Sequence, residues 1–287
     1  MRADIRAFFD EDTSTVSYVI ADPASRRVAI LDSVLDYDPA AGRIATRSAD
    51  AIVAHVRERG FTVEWILETH VHADHLTAAA YLKKRLGGIL AIGAKVAAVQ
   101  ATFAKIYNLG PDFRADGSQF ERLFADGDSF RIGGVEVRVM ATPGHTPACV
   151  TYVLPEAAFV GDTMFMPDYG SARCDFPGGD ARILYRSIRR IFALAPATRL
   201  YMLHDYKAPG RDQYAWETSV AEQRAGNIHL HDGVGEDDFV KLRTERDRKL
   251  TTPKLILPAV QVNMRAGEMP PPESNGMSYL KIPLNAL

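Results

Sequence analysis

Seven side chains of the kinds that bind metals in proteins are spread over half of this chain: His70, His72, Asp74, His75, His145, Asp162 and His204. Four of them fall within six positions, directly after the apolar run 63–67, which predicts a buried strand. Imidazole nitrogens and carboxylate oxygens suit Zn or Fe. The alternative is a set of surface histidines with Asp74 capping the helix that follows. The three partners downstream favour a single metal cage.

Hydrophobic periodicity and Gly or Pro stops predict the elements that position these residues. Predicted strands cover 14–21, 27–31, 63–69, 89–92, 129–132, 135–140, 149–154, 158–160 and 200–203. Predicted helices cover 49–59, 76–86, 95–107, 181–194 and 236–250. Residues 110–128 are expected to be loop. Strands separated by helices indicate sheets layered against helices, with the ligands at strand ends or in loops.

Bulk properties narrow the class of protein. The 287 residues, 47% of them hydrophobic and 24% charged, fit a globular protein of one large or two small domains. A net charge of −2 argues against a nucleic-acid partner, which requires a basic face. Neither a membrane-spanning run nor a signal-peptide apolar region is recognised, so we expect no membrane partner. Two cysteines, Cys149 and Cys174, do not make a disulfide framework, and a reducing cytoplasm fits best.

The ligand motifs resemble those of the metallo-β-lactamase superfamily. They are His70-x-His72-x-Asp74-His75, Thr142-Pro-Gly-His-Thr146, Val160-Gly-Asp-Thr163 and Leu203-His-Asp-Tyr206. The resemblance covers residues 12–210 and implies an α/β fold, an αββα sandwich of two mixed sheets flanked by helices, with the metal at one edge. We expect one domain over residues 1–287, with 211–287 as a helical, proline-containing extension packed on it. The reaction stays open, because function resides in the site and not in the fold.

Members of that superfamily often hold two ions, and all seven ligands for such a site are present. Carried over by motif, His70, His72 and His145 surround one ion, Asp162 bridges, and the second ion takes Asp74, His75 and His204. A dinuclear zinc site would use a metal-bound hydroxide, formed because the metal lowers the pKa of water to about 7. The sequence therefore permits a two-zinc hydrolase of the glyoxalase II kind, acting on a thioester or a lactone.

A second resemblance points to another reaction. The stretches 161–166, 170–180 and 263–265, with His-Asp-Tyr at 204–206, are similar to persulfide dioxygenases (the ethylmalonic encephalopathy protein-like family), and to their bacterial β-lactamase-like hydrolase subgroup in particular. This similarity runs over residues 12–287. It implies one Fe(II) per chain held by His70, His145 and Asp162, a facial triad suited to O₂ chemistry. The implied reaction oxidises a glutathione-type persulfide with O₂ to sulfite and thiol, in sulfide detoxification, by an enzyme expected to be a homodimer.

In that case four potential ligands are left as supporting groups or as a second site: His72, Asp74, His75 and His204. The same resemblance suggests that Arg173 and Tyr206 contact the substrate, whose carboxylates would pair with arginine in a bidentate manner. Arg173 could instead form a structural ion pair with a nearby aspartate: Asp162, Asp175 or Asp180. Tyr206 could be a packing residue. Three cations are further candidates for substrate contact, with Arg265 among the predicted substrate-binding residues and solvated surface charge as the alternative for each: Lys207, Arg211 and Arg265.

Three residue groups invite chemistry that lies outside these motifs. Cys174 beside Arg173 could be a reactive thiol, although a small buried side chain is the more ordinary reading. Cys149, before an apolar run, is predicted to lie in the core. His229 and His231 imitate a metal pair, and we interpret them as surface residues.

Overall fold

Two six-stranded sheets form the body of the protein in a computed structural model that describes residues 2–286. The strands are β1 (Asp4–Asp10), β2 (Thr15–Asp22), β3 (Arg27–Leu31), β4 (Val34–Asp38), β5 (Arg43–Ala45), β6 (Thr62–Leu67), β7 (Leu76–Thr77), β8 (Ile89–Gly93), β9 (Arg122–Phe124), β10 (Ser129–Ile132), β11 (Val135–Ala141), β12 (Val150–Val153), β13 (Ala157–Phe159), β14 (Arg199–Tyr201) and β15 (Glu217–Ser219). The helices are α1 (Arg47–Glu58), α2 (Ala79–Leu86), α3 (Val96–Ile106), α4 (Ala181–Phe192), α5 (Val220–Gly226), α6 (Glu236–Asp247) and α7 (Ile256–Asn263).

Both sheets are mixed. The first has the order β1-β2-β3-β6-β8-β9, antiparallel across β1, β2 and β3 and parallel from β3 to β9. The second has the order β10-β11-β12-β13-β14-β15 and is antiparallel except for the β13–β14 pair. A small sheet, β5-β4-β7, lies beside the first. Parallel neighbours end at the same edge of a sheet, so the segments after β3 and β6, and those after β13 and β14, meet there.

Apolar side chains fill three layers. Between the sheets lies a cluster rich in aromatic residues, including Tyr18, Phe124, Tyr152 and Phe159. A second cluster joins the outer face of the first sheet to α1, α2, α3 and α7, and a third joins the second sheet to α4, α5 and α6. Burial of these apolar surfaces is the main driving force for such layering. The predicted α/β architecture of two mixed sheets flanked by helices is confirmed.

Most predicted elements are present, but two predictions were wrong in part. The helix expected to begin at Leu76 begins only at Ala79, because Leu76 and Thr77 pair with β4 as strand β7. Asp74 is therefore not a helix N-cap. The expected loop 110–128 contains β9, which adds a parallel edge strand to β8. Sequence periodicity did not reveal several elements, which are short or lie at the chain ends: β1, β4, β5, β15, α5 and α7.

The C-terminal part of the chain packs against both halves of the sandwich. Helix α6 packs on α4, and α7 packs on β7 next to the metal-binding motif. That 211–287 is an extension of one domain remains a prediction, which these contacts agree with. No helix within residues 2–286 is long and apolar enough to cross a membrane.

The turn before His145 depends on a glycine. Gly144 has φ +138°, and a Cβ added there would lie 2.3 Å from Leu184 Cα in α4. We predict that Gly144→Ala lowers the free energy of unfolding by more than the roughly 1–3 kcal/mol of backbone strain alone. Gly210→Ala is the matched control, because Gly210 also has positive φ (+90°) but a Cβ there meets nothing within 4 Å. Urea unfolding of the metal-free variants measures both. Equal losses would contradict the close approach to α4.

Candidate metal centre

The three ligands expected for a single iron meet at the edge where the sheets end. His70 Nε2 lies 3.9 Å and His145 Nε2 3.7 Å from Asp162 Oδ2. One donor atom from each residue lies within 4.8 Å of the other two, and all three residues are buried. His70 follows β6, His145 lies in the β11–β12 turn, and Asp162 follows β13. Three distant segments thus supply two imidazoles and one carboxylate to a common point.

The other four predicted ligands form an adjoining group. Donor atoms of His72, Asp74 and His75 also lie within 4.8 Å of one another. His204 Nε2 is 2.9 Å from Asp74 Oδ2 and 3.4 Å from Asp162 Oδ1. Asp162 therefore faces both groups, one oxygen toward each. The structure brings together all seven residues that the sequence singled out.

The polar atoms that face the inside of this cage lack hydrogen-bond partners among residues 2–286. They are His70 Nε2, His72 Nδ1, Asp74 Oδ2, His75 Nε2, Asp162 Oδ1 and His204 Nε2. His204 Nε2 and Asp74 Oδ2 are close, but their orientation is not that of a hydrogen bond. Leaving a buried polar atom unpaired costs about 1–3 kcal/mol, so a convergent set of such atoms is expected only where something else binds them. A metal ion is the partner that accepts N and O lone pairs together.

The outward-facing nitrogens are held in place. His145 Nδ1 donates to the Arg173 carbonyl oxygen at 2.8 Å, and His204 Nδ1 donates to the Ser14 carbonyl oxygen at 3.2 Å. Because a carbonyl can only accept, each ring carries a proton on Nδ1 and turns Nε2 toward the cage. Burial lowers the pKa of His70 well below its usual value and also lowers that of His75. Both imidazoles are therefore neutral, as metal ligands must be.

His72 differs from the other ligands. Its Nε2 lies 3.0 Å from Asp32 Oδ1 and 2.9 Å from Glu68 Oε2, and both carboxylates are buried. Burial opposes protonation of His72, but these carboxylates outweigh it and raise its pKa well above the usual value. Desolvation raises the pKa of Glu68. The two carboxylates at Nε2 fix the His72 ring, and only its Nδ1 faces the cage.

Sequence reasoning missed Asp32 and Glu68, and it named Asn263 only as part of a similar stretch. Asn263 Nδ2 donates to the carbonyl oxygens of His72 and His75, and its Oδ1 accepts from the Thr77 amide. A signal for Asp32 was available: it follows β3, the parallel neighbour of the strand that precedes the motif. The Asn263 contact had no such signal, since α7 comes from the far end of the chain.

The expected substrate contacts lie in three different settings. The Arg173 guanidinium pairs with both oxygens of Asp175 at 2.6 Å and donates to the Thr251 carbonyl oxygen. Tyr206 stacks on the His204 ring at a centroid distance of 5.5 Å, and 39% of its surface is exposed. Even so, desolvation and the nearby Asp74 and Asp162 raise the pKa of its hydroxyl. The Arg265 guanidinium lies over the Phe113 ring at 4.6 Å and has no ion pair within residues 2–286.

Other candidate residues serve the scaffold. Arg211 pairs with Asp205 and Asp168, and the Lys207 ammonium lies over the Tyr214 ring. Cys149 is buried, as predicted, and Cys174 is also buried, with desolvation raising its thiol pKa. The surface interpretation of His229 was wrong. It is buried, and its Nδ1 accepts from the Ser171 amide at 2.9 Å, because the turn at Gly170 packs directly on its ring.

Comparison with known proteins agrees with this geometry. The model of the metallo-beta-lactamase superfamily matches residues 10–204, which include all seven ligands. The chain belongs to the metallo-β-lactamase superfamily. Its superfamily relatives include a probable metallo-hydrolase of Burkholderia pseudomallei (strain 1710b), 58% identical over 99% of both chains. Glyoxylase B2 of Dictyostelium discoideum is 50% identical over 100% of this chain and 98% of that protein.

One relative is named a persulfide dioxygenase, ETHE1, and a solved structure carries the same protein name. The mitochondrial persulfide dioxygenase ETHE1 of Mus musculus is 31% identical over 93% of this chain and 90% of that protein. The crystal structure of ETHE1 from Myxococcus xanthus superposes with a TM-score of 0.73 at 30% identity, covering 92% of this chain and 100% of that one. Both the metallo-β-lactamase fold and the similarity to persulfide dioxygenases are thereby confirmed.

Asp32 provides a test of how the cage is held. Its carboxylate accepts from the Thr69 amide, the Thr69 hydroxyl and His72. In Asp32→Asn, the new side-chain NH₂ group would face one of these donors in place of an acceptor. We therefore predict a loss of roughly 1–3 kcal/mol in unfolding free energy, together with weaker metal binding. Asp22→Asn is the control, because Asp22 is equally buried and accepts from Ser25 and Gly134 away from the cage. It should lose stability only. Chelator competition and urea unfolding give the two quantities, and equal metal affinity in both variants would contradict the prediction.

Proposed function

We propose that this protein is an Fe(II)-dependent sulfur dioxygenase that oxidises a glutathione-type persulfide. The balanced reaction is RSSH + O₂ + H₂O → RSH + SO₃²⁻ + 2 H⁺. The observation that carries the proposal is the meeting of His70 Nε2, His145 Nε2 and Asp162 Oδ2, the donor set of a facial triad. The 31% identity to a persulfide dioxygenase over most of the chain supports the choice of reaction.

The residues of the cage fit a bound ferrous ion. Bound there, Fe(II) would supply open positions for O₂ and the terminal sulfur side by side. The chain itself keeps His70 neutral through burial and fixes the His145 ring through the hydrogen bond from its Nδ1 to the Arg173 carbonyl oxygen. Aromatic rings line the His145 and His204 sides: Phe176 lies 5.8 Å from the His145 ring, and Phe165 lies 6.3 Å from the His204 ring. Apolar rings beside the ligands would limit side reactions of a reactive persulfide with water.

A second candidate function is supported by the same cage. The unpartnered atoms of His72, Asp74, His75 and His204 could hold another ion, which would make a dinuclear zinc hydrolase of thioesters or lactones. The similarity to a protein named glyoxylase B2 also supports this alternative. Under the dioxygenase proposal, these four residues orient the triad and hydrogen-bond the substrates.

Substrate contacts are part of the proposal. Arg265 is the strongest candidate for a glutathione carboxylate, because its guanidinium is half-buried and its Nε is without a partner among the described residues. Arg173 could share its fork between Asp175 and the substrate. Tyr206, protonated and partly exposed beside His204, could donate a hydrogen bond. The proposal includes a homodimer in a reducing cytoplasm, which suits two unpaired, buried cysteines.

Oxygen consumption with glutathione persulfide tests the proposed reaction. Protein loaded anaerobically with Fe(II) should consume one O₂ per sulfite formed, with about one iron per chain. Hydrolysis of a glutathione thioester by zinc-loaded protein is the comparison. Thioester hydrolysis with about two zinc ions per chain, and no persulfide-dependent oxygen uptake, would replace the proposal by the second candidate.

Alanine variants distinguish a three-ligand iron from a two-metal cage. We predict that His70→Ala, His145→Ala and Asp162→Ala each lose bound iron and activity, because an incomplete triad holds the ion weakly. His72→Ala should keep most of its iron, because His72 is not one of the three proposed ligands and its Nε2 is turned to Asp32 and Glu68. Iron content by elemental analysis after gel filtration is the measurement. Complete loss of iron from His72→Ala would favour the two-metal model.

Arginine variants test the substrate contacts. Arg265→Gln should raise KM for glutathione persulfide about ten- to hundredfold, the equivalent of roughly 1–3 kcal/mol for a lost charged hydrogen bond, with iron content unchanged. Arg173→Lys keeps the charge but loses the planar fork that holds Asp175. A raised KM with unchanged iron content is expected if Arg173 contacts the substrate, whereas lowered iron occupancy and melting temperature together would make it a structural residue. Steady-state kinetics, iron content and melting temperature are measured on one preparation. An unchanged KM in Arg265→Gln would remove Arg265 from the substrate site.

A further inference from the structure

One peptide group connects a metal ligand to the C-terminal helix α6. The peptide between Arg173 and Cys174 accepts from His145 Nδ1 through its carbonyl oxygen, at 2.8 Å. Through its N–H, the same peptide donates to Asp247 Oδ2 at 2.9 Å. Hydrogen bonds in such a chain polarise one another, so a carboxylate at the N–H end makes the carbonyl a stronger acceptor.

Asp247 is itself fixed by a buried ion pair. Arg243, four residues earlier on α6, donates to Asp247 Oδ1 from Nε at 2.9 Å, and its Nη2 lies 2.7 Å from the same oxygen. Only 3% of the Arg243 side chain and 9% of the Asp247 side chain are exposed. A buried pair of this kind contributes little net stability compared with apolar residues of similar volume. Stability therefore does not explain why the pair lies at the end of the hydrogen bonds that run from His145 through the Arg173–Cys174 peptide.

The same pair also fixes the segment that runs from Asp162. Arg243 Nη1 donates to the Ser171 carbonyl oxygen at 3.0 Å, and the Ser171 amide donates to His229 Nδ1. Ser171 in turn bridges to Met164, two residues after the ligand Asp162. Helix α6 thus holds the loop 171–174 at two points, one leading to His145 and the other to the Asp162 segment.

We propose that Asp247, oriented by Arg243, is a positioning residue for the metal ligand His145 and acts through the Arg173–Cys174 peptide. The carboxylate strengthens the hydrogen bond to His145 Nδ1, which holds the ring plane and increases the donor strength of Nε2 toward the metal. This inference rests on the proposed role of His145 as a ligand. It needs only a bound metal, whichever reaction the site performs.

Cobalt binding tests the inference without any substrate. The main variant is the double substitution Arg243→Met/Asp247→Leu, which removes both charges and keeps apolar volume. The metal-free double variant should fold but melt below the wild type, because the Cys174 amide and the Ser171 carbonyl oxygen lose buried partners. Its Co(II) affinity should fall about ten- to hundredfold and its Co(II) absorption spectrum should shift. Asp247→Asn is a second variant, which keeps an acceptor for the Cys174 amide and loses the charge. It should show the same spectral shift and a smaller loss of affinity.

Asp237→Asn is the matched control. Asp237 lies on the same helix, is exposed, pairs with Arg182, and makes no hydrogen bond or ion pair with loop 171–174. Its Co(II) affinity and spectrum should equal those of the wild type. Wild-type affinity and spectrum in Asp247→Asn, with the protein folded, would overturn the inference. Lost Co(II) affinity in a protein that does not oxidise persulfide would uphold it and reject the proposed reaction alone.

Discussion

The burial of unpaired polar atoms at one edge of the sandwich constrains the rest of the structure. Six imidazole and carboxylate atoms are buried there, face one another and have no hydrogen-bond partner within residues 2–286. Each unpaired group costs about 1–3 kcal/mol, and a bound metal offsets that cost for the atoms that coordinate it. Metal binding and stability are consequently linked, as in other proteins whose sites are incompletely satisfied without the ion.

Such a cage keeps its unpaired atoms facing one another only if the side chains cannot turn toward other hydrogen-bond partners. The surrounding residues hold them in place. The outer ring nitrogens donate to carbonyl oxygens of Arg173 and Ser14, and Asn263 satisfies three backbone groups of the motif loop. These contacts come from both sheets and from the C-terminal helices. The two sheets are also joined directly at this edge, where the Val16 amide donates to the Leu203 carbonyl oxygen at 2.7 Å. The fold thus brings distant segments together as a rigid support for the site.

The cage has two halves that the chain treats differently. The first half offers two imidazole nitrogens and one carboxylate oxygen, from His70, His145 and Asp162. The other half contains His72, whose ring is locked by two buried carboxylates, and His204, whose pKa rises to about 9 because the nearby Asp74 and Asp162 outweigh its burial. The two halves therefore differ in the charged groups that surround their candidate ligands.

The sequence by itself predicted the candidate ligands and their order, and it indicated the superfamily, because metal ligands are drawn from few residue types and here follow predicted strands. It also predicted most strands and helices, since hydrophobic periodicity is local. The helix start after His75 was wrong because pairing of Leu76 with β4, a tertiary contact, overrode local propensity. Only the tertiary structure revealed Asp32, Glu68 and Asp247 behind the ligands, and it alone showed that His229 is buried. Their roles come from contacts between segments far apart in the chain, which no local pattern records. Hydrogen-bond geometry, and not residue type, likewise decided that the fork of Arg173 is occupied while that of Arg265 is free of any ion pair among the described residues.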